Sequence, residues 1–227
     1  MAEPAPMINP ITLKEVKANP EVKHLITGAN DLLSQMGYTE HGHRHSGVVS
    51  GVTRYILQHC GADEREQELG AVAAYLHDIG NVVNRVNHPM IGAAMSYQIL
   101  HNMSMDAREV APILGAIGNH EEGIGLPVSR MSAALIIADK SDVHFSRVQN
   151  PILESFDIHD RVNYSVQKSR VEMSSENQNI ELLLEINESA TVMDYFEIFL
   201  SRMVMCKRSA EVLGYKFTLQ VNGTVLE

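Results

Sequence analysis

The chain reads as a mainly α protein, a helical bundle followed by a small C-terminal α+β unit of β-β-α-β order. Two features predict this. From Leu13 to about Gln149 apolar residues recur at three- and four-residue spacing, with Gly or Pro between segments, which is the period of helices burying one face. After Pro151 the pattern shifts to shorter runs rich in β-branched and aliphatic residues. With 44% of 227 residues hydrophobic, the chain can bury a sizeable core, as one large domain or a medium domain with an appendage.

Residues 1–12, with Pro4, Pro6 and Pro10, read as a flexible lead-in. The helical domain is placed at 13–150, with helices near 20–36, 44–60, 64–78, 88–103, 106–120 and 128–148. In 151–227, "RVNYSVQKSRVEMS" and "NIELLLEINES" read as two strands of a hairpin around the polar turn "SENQN". Thr191 to Leu213 is an amphipathic helix stopped by Gly214, and "YKFTLQVNGTVLE" is a last strand. No internal repeat or low-complexity tract is visible.

A formal charge of −10 argues against general nucleic-acid or anionic-membrane binding, since both draw on Lys/Arg patches. No apolar run approaches the roughly 18 residues of a membrane span. The start lacks a basic region followed by an apolar stretch, so a cytoplasmic location is expected. Cys60 and Cys206 lie far apart, outside any CxxC pattern, and read as reduced core residues.

The chemistry is carried by histidines and aspartates. "EHGHRHSGVV" offers His41, His43 and His45; "YLHDIGN" offers His77 and Asp78; "RVNHPMIGAAM" offers His88. Further on, "AIGNHEEGIGLP" contains His120 and "LIIADKSDVHFSR" contains Asp139. Neighbours on a helix point about 100° apart, so His77 and Asp78 can converge only on something between them, and a metal ion is the candidate. One such histidine is usually a core or surface residue bonded to backbone; the set together makes that reading much weaker. Imidazole and carboxylate suit Zn, Mn, Fe, Co or Ni, while the absence of nearby cysteines argues against a thiolate-bound structural zinc.

These residues resemble the HD-domain metal-dependent phosphohydrolases, whose pattern is H…HD…D on a helical bundle: here His45, the His77–Asp78 dyad, and Asp139 of "IIADKSD". "HPMIGAAM" and "NHEEGIGLP" are similar to segments of the binuclear members, including the HD-GYP branch, and the second also to bacterial hydrolases of dinucleoside polyphosphates. The resemblance covers about residues 40–148. It implies two divalent transition-metal ions (Mn, Fe, Co, Ni or Zn), one held by His45, His77 and Asp139, the other by His88 and His120, with Asp78 touching both. It further implies hydrolysis of a nucleotide or other small phosphoester by metal-activated water. Asn81, Asn119 and Leu126 stand where the HD-GYP branch has lysine, histidine and tyrosine, so cyclic-di-GMP hydrolysis is not assigned.

Around this set, Lys140 is a candidate phosphate contact, against the reading of a surface lysine, and Glu121 a candidate for orienting a ligand or water. Glu122 reads as a solvated helix-end glutamate, and Asp142 with Arg147 as a structural ion pair. His41, placed one helical turn before His45, is read as solvated, with a third metal as its alternative. His24, His59, His101, His144 and His159 have no partner segment.

Two other functions compete with hydrolysis. A branch of HD proteins uses the same four-His, two-Asp set in a di-iron oxygenase, and a non-catalytic sensor or scaffold could retain the module. The apolar runs "IELLLEI" and "YFEIFLSRMVM" make a homodimer through the C-terminal unit plausible.

Overall fold

The computed structural model describes residues 10–187 and 192–226. Its first part is a bundle of seven helices. Helix α1 (Leu13–Ala18) begins with a Thr12/Glu15 capping box, and α2 (Pro20–Gln35) with Asn19 as cap and Pro20 at the first position. Then come α3 (His43–His59), α4 (Glu64–Leu76, capped by Asp63), α5 (His88–Asn102), α6 (Ala107–Gly118, capped by Asp106) and α7 (Arg130–Ser141, capped by Ser129). Every residue of α4 from Leu69 to Leu76 is buried, as is Met131 to Ala138 of α7. Helices apolar on all sides belong at the centre of a core, and these two carry the bundle around them.

Three local readings are corrected. The helix expected over 128–148 stops at Ser141, where Asp142 leaves helical geometry, and a separate short 3-10 turn forms at Phe145–Arg147. "RVNYS" is not strand: Ile158–Ser165 forms helix α8, capped by Asp157, and strand β1 starts only at Val166. The final segment is two strands, β3 (Lys216–Val221) and β4 (Thr224–Leu226), flanking Asn222-Gly223, whose φ angles of 48° and 83° are those of a tight hairpin turn.

Strand β1 (Val166–Ser174) pairs antiparallel with β2 (Asn179–Ile186), and helix α9 (Val192–Leu213) crosses over to set β3 parallel to β2. The sheet order is β1-β2-β3-β4. Its buried face (Val166, Ile180, Leu182, Leu184, Leu219, Val221) packs with Tyr195, Phe199 and Met203 of α9 against Ile56 and Leu57 of α3 and Ala134 and Ile137 of α7. The C-terminal core thus uses bundle helices as its floor. Truncating the fully buried Phe199 to alanine would cost about 3–5 kcal/mol. Among the described residues no helix is long and apolar enough to cross a membrane.

Candidate metal centre

Three helix C-termini meet at one point. His77 caps α4 and Asp78 follows it; His120 lies just past α6; Asp139 sits in the last turn of α7. The negative ends of these helices favour a cation there. His45 comes from the first turn of α3, and His88 opens α5 after Asn87, whose φ of 62° turns the chain into the helix.

Close backbone approach sets the spacing. Gly80, in the 3-10 turn Ile79–Val82 just after the dyad, lies so near α5 that a Cβ would come within 2.1 Å of His88 O and 2.5 Å of Gly92 N. Any side chain at Gly80 would therefore push α5, and His88 with it, away from the dyad.

The four histidines share one design. Nδ1 of His77, His88 and His120 faces the carbonyls of Ala74, Arg85 and Ile117 at 2.7, 3.0 and 2.6 Å, and Nδ1 of His45 faces Asp142 Oδ2 at 2.7 Å. With Nδ1–H donated outward, a ring in this orientation turns Nε2 inward, where it can act as a metal ligand. The Nε2 atoms then face one another in pairs, His45 with His77 at 3.3 Å and His88 with His120 at 3.1 Å. Two lone pairs at that distance repel unless a positive charge lies between them. Two nitrogens each about 2.1 Å from one ion, at angles near 90–109°, are about 3.0–3.4 Å apart, so the spacing fits a shared metal.

Asp78 addresses both pairs. Its Oδ2 lies 3.2 Å from His77 Nε2 and 3.6 Å from His45 Nε2, while Oδ1 lies 3.2 Å from His88 Nε2 and 3.7 Å from His120 Nε2. Asp139 Oδ1 joins the first pair, 3.3 Å from His45 Nε2 and 3.7 Å from His77 Nε2. Three overlapping donor groups result: His45/His77/Asp78, His77/His120/Asp139 and Asp78/His88/His120. The donor set is nitrogen and carboxylate oxygen without sulfur, as suits divalent transition metals.

The electrostatics agree with a centre that attracts cations. Burial pushes the Asp78 and Asp139 carboxyls up, yet His77 in the first case and Lys140 in the second, with histidine hydrogen bonds, outweigh it and hold both well below the usual carboxylate range. Burial pushes His77 down, but Asp78 and Asp139 overcome it and raise it to about 10. Without an ion, a proton on His77 meets the demand for positive charge. His120 is shifted downward, mainly by burial, against the pull of Asp78.

All seven residues named as ligands or catalytic groups besides Glu121 (His45, His77, Asp78, His88, His120, Asp139 and Lys140) are gathered here, and Glu121 stands at the rim, its Oε2 3.8 Å from His88 Nε2 and its Oε1 2.8 Å from Arg85 Nη2. Lys140 is no surface lysine: its side chain is 4% exposed, with Nζ 2.7 Å from Asp139 Oδ2. Glu122 is not solvated either, because it contacts Lys140 at 3.1 Å. His41 precedes α3 rather than lying on it, and burial and Arg147 keep its pKa well below the ordinary value; it lines the cleft but belongs to none of the donor groups. His24, His59, His101 and His159 are exposed, and His144 caps the Phe145–Arg147 turn.

Several supporting residues were not singled out from the sequence for these roles. Asp142 accepts from His45 and from Arg44 through two bonds of 3.2 and 2.7 Å, and its expected ion pair with Arg147 is present at 3.7 Å, the Arg147 guanidinium also donating to the carbonyls of Glu40 and Asp142. Glu40 Oε1 accepts from the amides of Gly42 and His45 at 2.7 and 3.4 Å, capping α3 where Gly42 has no side chain to do so. Asn81 donates to Asp78 Oδ1 at 2.9 Å. Arg85 Nη1 lies 2.8 and 2.9 Å from the two nitrogens of His88. Only Asp142, three residues after Asp139, had a local signal; the other contacts join segments distant in sequence or residue types with many uses.

Fold and site together define a helical protein with a buried His/Asp cluster that could hold a metal ion. Residues 42–144, which span His45 through Asp139, match the HD domain family. It is 26% identical over 226 residues, covering 89% of this chain and 81% of the relative, to the uncharacterized protein MJ1020 of Methanocaldococcus jannaschii. A crystal structure of a predicted HD superfamily hydrolase from an uncultured Thermotogales bacterium is 23% identical, with a TM-score of 0.45, over 59% of this chain and 75% of that one.

Proposed function

We infer that the chain is a metal-dependent phosphohydrolase that cleaves a small phosphoester. The observation that carries this reading is the pairing of inward Nε2 atoms around Asp78, one carboxylate oxygen to each pair. In this reading His45, His77 and Asp139 would hold one divalent ion and His88 and His120 a second, with an Asp78 oxygen available to each. Bound there, the ions supply Lewis-acid charge for a phosphoryl oxygen and lower the pKa of a water to about 7.

The chain's own side chains do the rest. Burial pulls the Lys140 ammonium down, but Asp139, Glu122 and Glu121 overcome it and raise its pKa, so it carries a fixed positive charge beside the centre for phosphoryl oxygens. Glu121, anchored by Arg85, offers Oε2 as an acceptor for a proton leaving the attacking water. Asp78 is oriented by the hydrogen bond from Asn81. Arg85 and Lys140 at the cleft support an anionic, phosphate-bearing ligand.

A homodimer through the C-terminal unit remains part of the proposal in reduced form. Most of the apolar side chains that motivated it are consumed by the internal core, which leaves Met193, Leu200, Val204 and Val212 exposed on α9.

The test is elemental analysis of anaerobically purified protein, paired with phosphate release from a panel of phosphoesters with added Mn or Co. About two ions per chain with phosphate release is the expected result. Two irons that react with oxygen, without phosphate release, would favour the oxygenase, and no metal under any condition the scaffold.

A further inference from the structure

The C-terminal unit reaches the metal centre through one side chain. Arg202 of α9 lines the same cleft as Asp78, His120 and Asp139. Its Nε lies 3.0 Å from Glu122 Oε1, the other Glu122 oxygen lies 3.1 Å from Lys140 Nζ, and Lys140 lies 2.7 Å from Asp139 Oδ2. Charges thus alternate from a metal-facing aspartate out to the tail.

Arg202 is held for this position. Its guanidinium lies over the Phe199 ring, 4.6 Å from the centroid, and Phe199 is fully buried, so the stack limits where the fork can point. Helix α9 packs along α7, which carries Asp139 and Lys140. Between the ammonium and the guanidinium sits the Glu122 carboxylate, where a substrate anion would make the same two contacts.

The cleft also limits what enters it. Among the described residues its lining is charged or histidine throughout. A phosphate and a short polar group are matched by such walls better than a nucleobase, which draws on apolar surface.

We propose that Arg202 anchors an anionic oxygen of a compact phosphomonoester, which makes the C-terminal unit a working wall of the cleft. This rests on the phosphohydrolase reading. Glu122 holds the anchor until the substrate's oxygens displace it.

The experiment uses the full chain loaded with Mn and inorganic phosphate as the probe, with binding followed by calorimetry and metal content measured in parallel. Arg202→Ala should weaken phosphate about tenfold or more with metal content unchanged, and Arg202→Lys should recover part of the loss, since the charge remains and the fork does not. Lys207→Met, an exposed change on the same helix, should bind as wild type. Glycerol phosphate should compete with inorganic phosphate at least as well as a nucleoside monophosphate does.

Unchanged phosphate binding by Arg202→Ala, while wild type binds, would overturn the anchor and leave the phosphohydrolase reading standing. A metal-loaded wild type that binds no phosphate and hydrolyses no ester would overturn both. Loss of metal or of thermal stability in both Arg202 variants would make the residue structural and overturn the anchor, and a strong preference for the nucleotide would overturn the compact ligand.

Discussion

The two halves of the candidate metal centre use the same ligand type but are backed differently. Around His45 and His77 stand Asp139, one oxygen of Asp78, and Asp142 hydrogen-bonded to His45. Around His88 and His120 stand the other oxygen of Asp78 and, 3.8 Å from His88, the rim carboxylate of Glu121; both rings are oriented by backbone carbonyls, and the Arg85 guanidinium lies against His88. A carboxylate behind an imidazole raises its basicity more than a carbonyl does, and a neighbouring cation repels a metal ion. The first half should therefore bind its ion more tightly than the second.

The largest effect is expected where the halves meet. Asp78→Ala should remove both ions and reduce phosphate release to background while leaving most helix content by circular dichroism; wild-type stoichiometry in that variant would show that Asp78 is no bridge. Next come the halves themselves. His88→Ala should keep close to one ion per chain, whereas His77→Ala should lose the tighter ion and leave the weaker site mostly empty after dialysis. Equal losses would break the asymmetry.

Gly80→Ala tests how the second half is positioned. The added Cβ meets backbone of α5, so urea unfolding should show about 1–3 kcal/mol of destabilisation, with the ion between His88 and His120 weakened more than its neighbour. An unchanged midpoint would mean that α5 can give way without cost. Smaller again, Asp142→Asn should weaken the first ion about 10–100-fold in a chelator competition and leave the second as it was.

The smallest change should come from Arg85→Met. Removing a cation near His88 should tighten the second ion by about tenfold or less, since effective screening keeps such terms modest. Weaker binding instead would show that Arg85 matters chiefly by holding Glu121.

Much of this centre was legible as sequence. The His77–Asp78 dyad, His45, His88, His120 and Asp139 each end or begin a helix beside an apolar run, and periodicity with capping residues marks such ends locally. The bundle was legible for the same reason, as was the hairpin of β1 with β2. The errors fell where short-range signals competed: Asp157 capping α8 outweighed the strand-like "RVNYS", and the Asn222-Gly223 turn divided what was read as one strand.

Folding decided the rest, because it concerns contacts between segments distant in the chain. Sequence by itself determined which residues are able to bind a metal and that they lie at helix ends. Only the tertiary structure decided which imidazole faces which, that Asp78 gives one oxygen to each pair, that Lys140 and Glu122 turn inward, and that Arg202 arrives from the tail. Local periodicity tells which face of a helix is buried. The orientation of that helix against α4 and α7 is set by packing at Gly80 and in the shared apolar core, and no short stretch of the chain contains that information.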